Sequence, residues 1–185
     1  MRIRRESLWM MALGVSMLLG TTAWADKSTT TEKTTTSTKT TTAEKTFVEK
    51  AASGGMAEVK MGQLAVDKGT SPTVKQFGQK MVDDHSKAND ELKEIASKKN
   101  LSLPTEVNSK QQATYDKLAK LSGSDFDKAY MDAMVKDHDE DVREFKKASA
   151  MSGMDSDLKA WAEKTLGVIE QHDHLAHQDK DAVRK

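Results

Sequence analysis

The sequence predicts an all-α protein: a four-helix bundle of two antiparallel hairpins joined by a long crossover that carries a short extra helix. Three observations lead there. From Thr46 onward, apolar residues recur every three or four positions, the period of one helical face. The two prolines, Pro72 and Pro104, stand at element boundaries, and β-branched residues never gather into alternating runs. Met81-Val82-Asp83-Asp84-His85 is echoed by Met134-Val135-Lys136-Asp137-His138, and each histidine lies 14 residues past a helix-opening serine, Ser71 or Ser124. Two copies at one helical depth indicate a repeated helix pair.

The first helix is expected to start at Thr46, where Thr46 and Glu49 fit a capping box. Its inner stripe runs Phe47, Ala51, Gly54/Gly55, Glu58, Met61, Ala65, and Gly69 closes it. The second helix opens at Ser71 with Pro72 in its first turn. Its stripe is Val74, Phe77, Met81, His85, Ala88, Leu92, Ile95, and Lys98, Lys99 and Asn100 suit its C-terminus. A loop over 101–105 leads to the short helix, with Val107, Gln111, Thr114, Leu118 and Leu121 in register. The third long helix starts at Ser124, paired with Asp127 in the same capping pattern, and presents Phe126, Tyr130, Met134, His138, Val142 and Phe145. After Ser152-Gly153 the last helix, capped by Asp155 or Ser156, carries Leu158, Trp161, Thr165, Ile169, His172 and Ala176. The bundle is thus expected over 46–179, with a polar, frayed tail at 180–185.

Four polar residues interrupt these apolar stripes: Glu58, His85, His138 and His172, one per long helix. Tight turns make each hairpin antiparallel, and the long crossover makes the second and third long helices parallel. Glu58 lies 12 residues before the turn near Thr70 and His85 lies 15 after it, a depth mismatch of ~4–5 Å. His138 lies 15 before Gly153 and His172 lies 19 after it, a mismatch of ~6 Å. All four side chains can therefore approach one layer. Three imidazoles and a carboxylate suit one transition ion: zinc, copper, nickel or iron. The competing reading is a buried polar network in which Glu58 accepts from the histidines, with Tyr130 beside it, and fixes helix register.

Residues 46–177 resemble the bacterial ferritin-like domain family catalogued as domain of unknown function 4142. The resemblance rests on Phe47-Val48-x-Lys50-Ala51-Ala52-x-Gly54-Gly55-Met56-Ala57-Glu58, on Met81-Val82-Asp83-Asp84-His85 and on Tyr130-Met131-Asp132-Ala133-Met134-Val135. It implies an exported four-helix bundle and no established activity. Loose outer-membrane labels attached to that family conflict with the sequence, because a membrane barrel needs alternating strands. Ferritin-like di-iron sites use Glu-x-x-His pairs on two helices, whereas Val82, Val135 and Ile169 stand three before the histidines here. Asp84 and Asp137 adjoin their histidines in sequence but point ~100° away from them. Oxygen-activating di-iron chemistry is therefore not expected.

The N-terminus reads as an export signal over 1–25: basic Arg2, Arg4 and Arg5, an apolar run from Leu8 to Leu19, then Ala23-Trp24-Ala25 for cleavage. The run is shorter than the ~20 residues that span a bilayer. Retention as an N-terminal anchor is the alternative. Residues 26–45, half of them Thr, read as a disordered linker with too little apolar surface to offset ordering entropy. The expected location is thus periplasmic or secreted, with no transmembrane segment in the mature chain. Cleavage removes three arginines and one glutamate, which takes the net charge from zero to −2. That balance gives no reason to expect nucleic acid as a partner. There is no cysteine, hence no disulfide and no lipid-modified Cys.

Other chemistry is sparse. No Gly-rich phosphate loop and no nucleophile elbow occur, so an enzyme is the less favoured class. Met56, Met61, Met81, Met131 and Met134 fit core packing better than a copper site. His174 and His177, three apart, face away from His172 and read as solvated, with weak metal binding as the alternative. The expected role is therefore metal storage, sensing or envelope protection, or else an interaction module without metal.

Overall fold

A computed structural model describes residues 40–185. The signal segment at 1–25 and most of the 26–45 linker lie outside the described residues. The described chain is all-α: α1 (Thr42–Lys68), α2 (Pro72–Lys98), α3 (Ser109–Ala119), α4 (Gly123–Ser149) and α5 (Ser156–Ala182), with no strand among the described residues. No described helix is long and apolar enough to cross a membrane.

Helix ends follow local capping, corrected in places by tertiary contacts. α1 begins four residues before the expected Thr46, because the capping box is Thr41 with Glu44. Glu44 Oε2 accepts from Thr41 N at 2.6 Å, and its Oε1 accepts from Asp155 N at 2.6 Å. The second bond favours this box over Thr46–Glu49, since it also satisfies the start of α5. Residues 42–45, assigned to the linker from composition, are therefore helical. Ser71 precedes α2 as expected, yet its side chain makes no capping bond. Asp127 of α4 serves instead, accepting from Thr70 N (3.0 Å), Thr70 Oγ1 (2.5 Å) and Ser71 N (2.8 Å). That takes Asp127 away from the capping role expected on its own helix, where Ser122 is the N-cap. Asp155, not Ser156, caps α5 through Asp157 N and Leu158 N. α5 runs to Ala182, into the tail expected to fray at 180–185, and Lys180 and Arg184 pair with Asp132 of α4.

These contacts fix direction. Glu44 puts the starts of α1 and α5 at one end, and Asp127 puts the starts of α2 and α4 at the other. α1 packs along α2 and α4 along α5, while α2 also meets α5 and α1 meets α4. The α1–α2 approach is close where Gly62 faces Gly78. A Cβ on Gly78 would lie 2.8 Å from Gly62 O and 2.8 Å from the Ala65 Cβ. α3 lies against α1 and α4, its start held by Ser53, whose Oγ donates to Gln111 Oε1 (2.6 Å) and accepts from Asn108 N (3.0 Å).

The apolar interior is in two parts. One contains Met61, Val74, Phe77, Met81, Phe126, Tyr130 and Met134. The other contains Phe47, Leu92, Phe145, Leu158, Trp161 and Ile169. On α2, α4 and α5, His85, His138 and His172 stand between the two in sequence.

Candidate metal centre

The sequence placed a polar residue on the inner stripe of each long helix, and all four are buried: Glu58, His138 and His172 are 0% exposed and His85 is 6% exposed. The structure brings the three histidines together and leaves Glu58 outside their group. Ring nitrogens of His85, His138 and His172 lie within 4.8 Å of one another. Ring centroids are 5.3 Å apart for His85–His172, 5.5 Å for His138–His172 and 5.9 Å for His85–His138. Phe77 closes the layer edge-on to His138 at 6.1 Å.

Hydrogen bonds set which nitrogen faces the centre. His138 Nδ1–H donates to the Met134 carbonyl at 2.9 Å, so its Nε2 carries the lone pair. His172 Nε2–H donates to Asp84 Oδ2 at 2.8 Å, so its Nδ1 carries the lone pair. His138 Nε2, His172 Nδ1 and His85 Nε2 are all buried without a hydrogen-bond partner. Buried polar atoms are normally paired, and three adjacent orphans in an apolar interior are costly unless something binds them. An ion with Zn–N bonds of ~2.0–2.1 Å would hold such nitrogens ~3.4 Å apart.

Burial holds all three imidazoles neutral at ordinary pH. Desolvation pushes His85 well below the usual histidine value, with neighbouring His138 and His172 adding to the shift. Desolvation lowers His138, partly opposed by its bond to Met134. His172 falls to about 4, again through desolvation, despite the upward pull of Asp84. Neutral imidazole is the ligating form. Burial pushes the Asp84 carboxyl up, but hydrogen bonds from Lys80 and His172 outweigh it and hold it below its ordinary value.

Glu58 belongs to a different neighbourhood. Burial drives its carboxyl well above the usual range, and Asp137 and Asp141 raise it further. Asp141 itself rises to about 8 through burial and the nearby Asp137, Glu140 and Glu144. Neither Glu58 oxygen has a hydrogen-bond partner, so the expected network in which Glu58 accepts from the histidines is not formed. Burial also raises the Tyr130 hydroxyl, with the Glu58 charge adding to it.

Asp84 and Asp137 are the residues that sequence reasoning set aside. Each does point away from its own histidine, and that turn aims it at the adjoining helix. Asp84 bonds His172 of α5, and Asp137 lies near enough to Glu58 of α1 to raise its carboxyl. The repeated Asp-His pair was the available signal. In a four-helix packing, a residue one position before a central side chain faces a seam rather than solvent.

Two openings approach the layer. A cleft of about 1020 Å³ between α1, α3 and α4 has His85, Asp137 and Asp141 in its wall. A crevice of about 90 Å³ between α2 and α5 touches Asp84, His85, Thr165 and His172. His85 is thus reached from both sides.

The donor set is three neutral imidazoles with no carboxylate inside their 4.8 Å group. It does not fit a carboxylate-bridged di-iron pair. It fits a borderline transition ion held by nitrogen. No curated protein and no solved structure matches the chain. The sequence does match a protein family over residues 29–178, which includes all the residues of this layer and all but the last turn of the helix hairpins, and so the chain belongs to the family described as domain of unknown function (DUF4142).

Proposed function

We propose that this domain is a ferritin-like bundle that holds one transition ion, zinc, copper, nickel or iron, on His85, His138 and His172. One observation carries the reading: three buried histidines from three helices bring ring nitrogens within 4.8 Å of one another, and each ring has one buried nitrogen without a partner. The antiparallel α1–α2 and α4–α5 hairpins, with α2 and α4 starting at the same end, support the ferritin-like topology. The N-terminal basic-apolar-small pattern supports export to the cell envelope. The role that follows is metal storage, sensing or protection there.

A second reading has support in the bonds His172–Asp84 and His138–Met134, which satisfy one nitrogen of each ring without an ion. In that reading the layer fixes helix register in a structural or interaction module. Metal content of the untagged chain, measured by mass spectrometry, separates the two. The metal reading expects about one ion per chain, lost in His85→Ala and in His138→Ala. A wild-type chain that carries no metal and gains no thermal stability from added zinc, copper, nickel or iron would leave only the structural reading.

A further inference from the structure

The α4–α5 seam carries a second set of donors. Asp139 follows His138 and Asp173 follows His172, so each is turned by ~100° from the interior. His177, one helical turn beyond Asp173, completes the set. Its Nε2 stands 3.5 Å from Asp139 Oδ1 and 3.8 Å from Asp173 Oδ1. Donor atoms of all three residues lie within 4.8 Å of one another.

Two features favour a cation at this seam. Asp132, on the same face of α4, is matched by both Lys180 and Arg184. Among the described residues, Asp139 and Asp173 have no Lys or Arg within ion-pair distance, and only the imidazole stands between them. Asp173 Oδ1 is also shut off from solvent and accepts no hydrogen bond. A shielded carboxylate oxygen beside a second carboxylate is unfavourable until a positive charge joins them.

We propose that Asp139, Asp173 and His177 form a solvent-facing site for a divalent first-row ion, separate from the buried triad. Two oxygens and one nitrogen leave further coordination positions to water. That harder donor set suits Mn²⁺, for which carboxylate and water are the better ligands. The site stands whether or not the triad holds metal. Asp139 and His177, the two residues to be replaced, are about half exposed, so replacing them leaves the interior unchanged.

The test is a titration of the metal-stripped full chain with Mn²⁺ alone, following loss of the free-ion signal by electron paramagnetic resonance. Asp139→Asn and His177→Ala should each weaken Mn²⁺ binding by ~tenfold or more, equivalent to ~1.4 kcal/mol. His85→Ala should leave Mn²⁺ binding unchanged while removing any ion held by the triad, so failure of one site is distinguishable from failure of the other. Absence of saturable Mn²⁺ binding in the wild type overturns the proposal. So does equal affinity in Asp139→Asn, His177→Ala and the wild type, or loss of Mn²⁺ binding in His85→Ala alone.

Discussion

His138 has one ring nitrogen tied to Met134 and the other facing the centre with nothing to bond. An unpaired buried polar atom costs ~1–3 kcal/mol, and a side chain of similar size without polar atoms avoids that cost. His138→Leu should therefore raise the stability of the metal-free chain by ~1–2 kcal/mol in urea denaturation, while abolishing metal uptake. Destabilisation of the metal-free chain by this change would show that the imidazole is held by bonds of its own. Asp84 has the opposite character. It touches no ion, but it selects the nitrogen that His172 turns inward. Asp84→Ala should weaken metal binding by ~10–100-fold in chelator competition, with the circular dichroism spectrum of the helices unchanged. The histidines were legible because each breaks a clean apolar stripe. Asp84 was not, because its polarity looks ordinary on a helix until the neighbouring helix is known.

Long helices were the most legible elements, since 3.6-residue periodicity survives over their full length. Their ends were less so. Thr41-x-x-Glu44 and Thr46-x-x-Glu49 are both acceptable capping boxes locally. The choice belongs to Asp155, 111 residues away from Glu44, which no local rule sees. Asp127 likewise fits a cap of its own helix in sequence and caps the α1–α2 turn in space. Gly62 and Gly78 were also silent in the sequence, although they set how closely α1 and α2 approach. A methyl group on Gly78 would press on the backbone of α1, which cannot yield as a flexible side chain can. Gly78→Ala should cost ~1–3 kcal/mol in thermal or chemical denaturation, despite the better helix propensity of Ala. An unchanged or raised midpoint would mean that α1 shifts freely.

Across the whole molecule, two sets of desolvated groups set opposite pH trends in the metal-free state. The histidines have depressed values, with His172 at about 4 against an ordinary value of 6.5. Below 6.5 the unfolded chain binds protons that the folded chain refuses, so their contribution to stability is lost as pH falls from 6.5 toward 4. Glu58 and Asp141 have raised values, with Asp141 at about 8. The folded chain keeps those protons where the unfolded chain releases them, so their contribution is lost as pH rises toward 8. Of these two sets, only the acids still titrate above 6.5. The denaturation midpoint of the metal-free chain should therefore fall between pH 6.5 and 8, and Asp141→Asn should flatten that fall. A midpoint that rises over this interval would contradict the burial of the acids. The overall all-α layout was readable from pattern alone, but this balance was not, because it depends on which carboxylates share a seam. The two-part interior has a mechanical consequence as well. Three polar rings between two apolar blocks should make a weaker waist, whereas an ion gripped by α2, α4 and α5 would act as a rivet through it. Hydrogen exchange should accordingly report two blocks opening independently in the stripped chain and a single, slower opening once the rivet is in place.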